Sequence, residues 1–341
     1  LESAITQARG NPFSLLSYVR GGKLQGDSDL ARYSALPDSV RKALGAASVL
    51  GREFALQDLH GCLEAPVDLA EARAEGLIDL CNQDRLAYRF PHDRVRDMVI
   101  ASLHSDELSE HHLRAARYLS RQPGGNPFDV AFHFQAAGAV KEGFPHSLEA
   151  ARLALQEHDS GTAIFYLRAA LAGAEGQTAE AREELLGKLG DCYRLTGHYA
   201  EALDCFSKAF LLSHTEASRA SLMLRIGDVH FKRGELELAR SSVERGLALL
   251  GERLPKRLVA DFLKQASIQL AHTVLPARFV GRRSATLETS DLLRVDLYNR
   301  LAYIRWFLDG PIPSICAHLR ELNLAERYLP SAELIPQAPA K

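Results

Sequence analysis

Histidine, cysteine and a few glycine-bearing turns are the residues from which this chain could build chemistry. It has thirteen histidines, scattered, with one adjacent pair, His111-His112. Neighbours on a helix diverge by about 100°, so this pair cannot close on one metal and reads as part of a solvated helix face. The five cysteines (Cys62, Cys81, Cys192, Cys205, Cys316) are widely spaced and include no C-x-x-C. Structural zinc or a disulfide framework needs tighter, paired spacing, so they read as buried thiols of a reduced, cytoplasmic protein. No H-E-x-x-H, G-x-S-x-G, kinase signature or G-x-G-x-x-G occurs. The nearest approach to a phosphate loop, Gly21-Gly22-Lys23, lacks the first glycine and is followed by Leu24. It offers neither a cradle of backbone amides for phosphate nor a hydroxyl for magnesium. The chain carries no catalytic constellation of its own.

Two short motifs remain. In RGNPFSLLSYVR (9–20), Gly10 permits close backbone approach, Pro12 fixes φ at a helix start, and Phe13, Leu15, Leu16 and Val19 begin an apolar face. In FPHDRVRDMV (90–99), His92 and Asp93 sit where a strand gives way to a helix. Asp93 suits the positive end of the helix dipole. His92 lies three before Val95 and seven before Val99, a spacing that predicts a ring on the buried side. Without further context both motifs read as ordinary helix starts.

The elements that must position these residues follow from size and periodicity. A length of 341 residues implies two domains. Hydrophobic residues at 46% and charged residues at 25% exclude a largely disordered chain. With 41 Lys and Arg against 43 Asp and Glu, the net charge of −2 offers no long-range attraction to nucleic acid. No apolar run is long enough for a membrane span, and the start does not read as a signal peptide. Beginning at Leu1, inside a motif and without Met, the sequence reads as a piece of something longer.

Between 185 and 212 the chain reads LLGKLGDCYRLTGHYAEALDCFSKAFLL. Leu189, Gly190 and Tyr193 fall on one helix; after Thr196-Gly197, Ala202, Phe206 and Ala209 fall on a second. Gly190 and Ala202 allow close approach, and Tyr193 and Phe206 can fill the wedge. This segment resembles a tetratricopeptide repeat. A second copy follows (Ile226-Gly227, a break at Gly234, then Ala239, Val243 and Gly246). A degenerate one precedes it, with Ala151 in the glycine slot and Ala163, Leu167 and Ala170 on its second helix. Three units suffice for a stacked core. The helical runs 257–275, 292–308 and 315–329 are expected to continue the solenoid, and the tail 331–341 to fray.

The front third differs. Helices are predicted over 36–51, 55–63 and 66–76. A hairpin follows, with Leu80 before the turn at Asn82-Gln83-Asp84 and Leu86, Tyr88 and Phe90 alternating after it. A helix begins after Pro91. Three helices and a hairpin are the plan of a winged helix. The expected fold is therefore mainly α: a helical remnant over 1–32, a winged-helix domain over 33–122, and a tetratricopeptide-like α-solenoid over 123–330.

In that order, the G-x-P start, winged helix, H-D and repeats resemble the signal-transduction ATPases with numerous domains. The stretches GNPFSLL, LGREFALQDL, FPHDRVRDMV and LRELNLAERYL are most similar to bacterial members fused to serine/threonine kinase, histidine kinase or cyclase domains. The resemblance implies that Pro12, with Gly10, lies against the adenine of ATP or ADP. It also implies that His92, with Asp93, reaches the β-phosphate of ADP and holds the protein closed. Pro91 replaces the family's methionine. The phosphate loop, magnesium-binding acid and sensor arginine would lie in an upstream nucleotide-binding domain, so this chain alone is expected to bind nucleotide poorly. By the same kind of resemblance, Asp191, Arg194, Asp228 and Lys232 would face the groove of the repeats and meet a protein or peptide; mixed charge there otherwise reads as a solvated face. Two alternatives stay open. One is a plain tetratricopeptide scaffold with no nucleotide link. The other is a DNA-binding regulator, disfavoured because Arg94 and Arg96 are offset by Asp93 and Asp97. Asn126-Pro127-Phe128, after Gly124-Gly125, reads as a linker into the repeats.

Overall fold

The computed structural model describes residues 25–255, 257–281 and 289–328. Gly10 and Pro12, the rest of the segment before Gln25, and the tail 331–341 lie outside the described residues. The fold is mainly α with one small sheet, and it divides into two units, 1–150 and 151–341.

The first unit begins with α1 (Gln25–Ala35) and α2 (Asp38–Leu50). Pro37 leads into α2 and Asp38 stands in its first turn, where the helix dipole favours an acid. Gly51, at φ +140°, ends the helix in a conformation that side chains rarely adopt. Strand β1 (Glu53–Ala55) follows, where the sequence pattern announces none, and then α3 (Leu56–Cys62). The helix expected over 66–76 shrinks to α4 (Ala70–Ala74). The hairpin forms as β2 (Asp79–Asn82) and β3 (Ala87–Arg89). β1 joins it to give an antiparallel sheet of order β1-β3-β2, with Phe54 opposite Tyr88. Leu86 departs from the expected alternation: it is exposed at φ +47°, and its carbonyl accepts a hydrogen bond from Leu56 N at 3.0 Å. It therefore shapes the turn and leaves the buried face to Phe90. Leu44, Phe54, Leu59, Leu77, Ile78, Phe90, Val95 and Val99 form one core, each large side chain contributing about 1.5–3 kcal/mol of transfer free energy.

After α5 (Asp93–Ser102) come α6 (Ser105–Leu119) and α7 (Pro127–Ala136). Asn126-Pro127-Phe128 is not a linker. Asn126 caps α7 by accepting from Phe128 N at 3.1 Å, with Pro127 in the first turn, where its missing N–H costs nothing. Nor are His111 and His112 a solvated face. Both are half-buried, and they diverge as their spacing requires. His111 lies over Gly45, where a Cβ would come within 2.9 Å of the ring. His112 Nδ1 meets His133 Nδ1 at 2.9 Å. Burial pushes both of the paired rings down to about 4.

The unit division falls within α8 (Val140–Gln156). Next come α9 (Ser160–Gly173), α10 (Ala179–Leu195), α11 (Tyr199–Leu212), α12 (Glu216–Lys232) and α13 (Leu236–Leu249). The repeat chemistry works as the small-residue slots dictate. A Cβ on Gly190 would meet the Phe206 ring at 2.5 Å, and one on Gly227 would meet Val243 at 2.8 Å. The turns at Gly197 and Gly234 take φ +83° and +78°. In the degenerate copy His158 occupies the same slot at φ +58°, a strained choice for a residue with a Cβ.

The last helices are α14 (Leu258–Val274), α15 (Pro276–Phe279), α16 (Thr289–Leu308) and α17 (Pro311–Ala325). α16 packs on α12 and α13, so it takes the next repeat position, and α17 pairs with it. α14 is bypassed and docks on α17 instead. Of the cysteines, Cys62, Cys192, Cys205 and Cys316 are buried free thiols. Cys81 is not: it is exposed on β2, its Sγ donating to Ala87 O at 3.2 Å. Among the described residues no helix is long and apolar enough to cross a membrane.

Candidate functional site

Two places could serve function, one in each unit. In the first unit, β3 ends with Phe90 buried and its N–H bonded to Arg52 O at 2.9 Å. Pro91 and His92 then turn the chain into α5, and His92 O accepts from Val95 N at 3.0 Å. The backbone at His92 is thus held from both sides. Its side chain is exposed, not buried as the spacing predicts. The reason is local: His92 is the residue before the helix, extended at φ −136° and ψ 146°, so the rotation per residue that relates Val95 to Val99 does not reach back to it. Its ring makes no hydrogen bond among the described residues. Asp93 opens α5 and lies 3.6 Å from Arg52 Nε, with both side chains largely exposed. Such a pair contributes little to stability.

In the second unit, α10, α12 and α16 present successive polar side chains. Asp191 Oδ2 pairs with Arg225 Nη1 at 3.0 Å, and Asp191 Oδ1 with Arg194 Nη2 at 3.5 Å. Gly187 makes room for this, since a Cβ there would stand 3.0 Å from Arg225 Nη1. Asp228 Oδ1 pairs with Arg300 Nε at 2.6 Å. Burial pushes the Asp228 carboxyl up from its ordinary value, against the pull of Arg300, Arg194 and Lys232 and with a further push from Asp191. Lys232 itself is exposed at the helix end. The Arg300 guanidinium lies over the Phe231 ring at 5.6 Å. Phe231 in turn stands 5.5 Å from Tyr303 and 6.1 Å from Phe307, which are 5.6 Å apart. At the other end of α10 and α12 is an open cavity of about 480 Å³, whose lining includes Glu180, Glu183, Glu184, Lys188, Asp191 and Arg225.

The structure therefore links Asp191 and Arg194 directly and places Asp228 within their field, while His92 and Asp93 belong to the other unit. Sequence reasoning missed Arg225, Arg300, Phe231, Tyr303 and Phe307. A signal for them existed: Leu301-Ala302 repeats Leu189-Gly190 and Ile226-Gly227, which sets Tyr303 in the slot of Asp191 and Asp228. Among the described residues no group of three or more His, Cys, Asp or Glu is placed to hold a metal ion.

No family model matches the chain, and no curated protein matches it. Solved structures do. BtubC (BKLC) from P. vanneervenii is 10% identical, with a TM-score of 0.39 over 73% of this chain and 84% of that one. A signal transduction ATPase with numerous domains and a tetratricopeptide repeat sensor, from Pyrococcus horikoshii, is 15% identical, with a TM-score of 0.32 over 94% and 69%. Likenesses this loose carry no argument about family or activity.

Proposed function

We propose that this chain is the regulatory and sensing segment of a multidomain, ATP-dependent cytoplasmic signalling protein. In this reading the first unit reports the nucleotide state through His92, and the repeats receive a protein or peptide partner. The observation that carries it is the exposed imidazole of His92 on a backbone fixed by Phe90 and Val95. An exposed ring with no hydrogen bond among the described residues is suited to donate to a phosphate oxygen. ADP would supply that oxygen, and an upstream domain would supply most of the contacts to it. Pro12 and Gly10 would complete the adenine side.

A charge-assisted hydrogen bond contributes roughly 1.5–3 kcal/mol. Its loss would shift the open population about ten- to a hundredfold. In the full-length protein, with its kinase or cyclase output, His92→Leu is expected to raise basal output and speed ADP release. Unchanged output with unchanged ADP retention would overturn the reading. Calorimetry on the present chain should find only weak ATP or ADP binding, since His92 supplies a minority of the contacts.

A plain scaffold is the second reading. It is favoured by the repeat face, whose charge pairs and aromatic cluster need nothing from His92. DNA binding draws no support from α5. Arg96 Nε donates to Ser48 O at 2.7 Å and Arg94 lies 3.5 Å from Asp29, so both arginines are engaged within the unit.

A further inference from the structure

The polar face of α10, α12 and α16 changes character from end to end. At the cavity, Glu184 pairs with Lys188 at 2.6 Å, and Asp191 with Arg225 and Arg194. Glu183 accepts from Ser218, and neither Glu180 nor Glu183 has an ion-pair partner among the described residues, so the lining keeps an excess of negative charge. In the middle, the carboxylates of Asp191, Asp228 and Asp296 are balanced by the guanidinium groups of Arg194, Arg225 and Arg300. At the far end, Tyr303 and Phe307 are 55% and 57% exposed while packed on each other and on Phe231. Isolated exposed apolar residues are common, but a contiguous aromatic group beside an arginine has the make-up of an interface anchor. The two ends are tied to one helix. Ser218 lines the cavity and Phe231 belongs to the aromatic group, thirteen residues further along α12. At about 1.5 Å per residue they lie about 20 Å apart along the helix. An extended strand rising about 3.3 Å per residue covers that span in about six residues.

We propose that this face takes an extended segment of a partner protein carrying a Lys or Arg and, about six positions away, an aromatic or other large apolar side chain. The basic group answers the carboxylates of the cavity, and the apolar one stacks against Tyr303 and Phe307. The neutral middle imposes no charge on the residues between. The inference rests on the reading of the repeats as the partner-sensing part and gives that partner its chemistry.

A library of random decapeptides displayed on phage, selected against the purified chain, tests it. Retained peptides should share a basic residue about six positions from Trp, Tyr, Phe, Leu or Met. The double variant Tyr303→Ala/Phe307→Ala should bind them about thirtyfold more weakly, the loss typical of an interface anchor. Glu184→Lys should lower affinity about tenfold and abolish the preference for Lys or Arg. These side chains are exposed, and far-UV circular dichroism checks that the variants fold. Retained peptides that lack this pairing, or that bind the variants as well as the parent, overturn the proposed chemistry while keeping the repeats as a peptide receptor. Failure to retain any peptide above bare support overturns both.

Discussion

In the α10–α11 hairpin the buried face is hydrocarbon: Leu189, Ala202, Phe206 and Ala209 are sealed from water. In α14 the stripes are reversed. It buries Asp261, Gln265 and His272 and leaves Val259, Leu263, Leu270 and Val274 in solvent. The polar stripe is matched residue by residue by α17, running in the same direction. Arg320 grips Asp261 with bonds of 2.6 and 3.0 Å, Asn323 donates to Gln265 Oε1 at 3.0 Å, and His272 Nδ1 meets Glu326 at 2.6 Å. The hairpin gains from removing carbon from water, tolerates small errors of fit, and is stabilised chiefly by area. The α14 contact gains little net energy from exchanging water for protein partners. Each of its groups, however, would be expensive to leave alone. Periodicity makes both helices amphipathic; the chemistry of the opposing helix decides which stripe turns inward.

Substitution should separate the two modes, with the largest effect in the hairpin. Phe206→Ala is expected to destabilise the second unit by about 3–5 kcal/mol, because the ring is fully buried beside Gly190 and the void cannot fill. Asp261→Ala should cost about 3 kcal/mol, through the stranded Arg320 charge and not through lost area. Replacing both partners, Asp261→Leu with Arg320→Met, should return most of that loss, as exchange of a buried ion pair for apolar groups often does. No double replacement of Phe206 and a neighbour should behave so. Urea melts followed by Trp306, the chain's one tryptophan and part of α16, provide the measurement. A double variant no better than Asp261→Ala would break the comparison.

Acid should separate the units in sequence. Burial works to raise the Asp261 carboxyl, but its bonds and charge pairing with Arg320, and its bond from Gln265, hold it below its ordinary value. Its contribution is present above the unfolded value near 4 and is lost as pH falls through the lower folded value. His133 works the other way. Buried and held down to about 4, it stays neutral while an unfolded histidine protonates near 6.5. The first unit therefore loses stability as pH falls from about 6.5 to about 4, on the order of 3 kcal/mol for this ring. His133 adds no further loss below that. At pH 5, hydrogen exchange corrected for intrinsic rate should show α6 and α7 loosened while Trp306 emission stays native. Simultaneous loss would overturn the assignment.

What could be read from sequence follows the same division. The repeats were legible because Leu189-Gly190 and Ile226-Gly227 each declare a close helix contact within their own hairpin. β1 was not, because Glu53-Phe54-Ala55 becomes a strand only through pairing with β3, with Phe54 stacked on Tyr88 at 6.1 Å. The helical period over 257–275 was evident, but its inverted burial depends on Arg320, Asn323 and Glu326, more than fifty residues later. His112 likewise finds His133 across a helix turn that the sequence presents as a linker. At the candidate site, the residue type of His92 marked the position, while its orientation depended on an extended backbone that helical counting does not describe. In the repeat face the charges were legible, and the aromatic end was hidden until α16 took the repeat position that its place in the chain assigns to α14.

The smallest effect is the sharpest check on the reversed helix. Leu263 and Leu270 are 63% and 64% exposed, on a stripe where sequence patterning alone would seat a core. Replacing each by Gln removes apolar surface that is already in water, so the change in stability should stay within about 0.5 kcal/mol. The same exchange at Leu189 would leave a buried amide without partners and cost several times as much. Chemical denaturation of Leu263→Gln/Leu270→Gln, run at two protein concentrations, distinguishes the outcomes. A loss above about 1 kcal/mol, or a midpoint that moves with concentration in the parent and not in the variant, would mean that these side chains are covered in solution. The contrast between the two packing modes would then reduce to a difference in which surface supplies the cover.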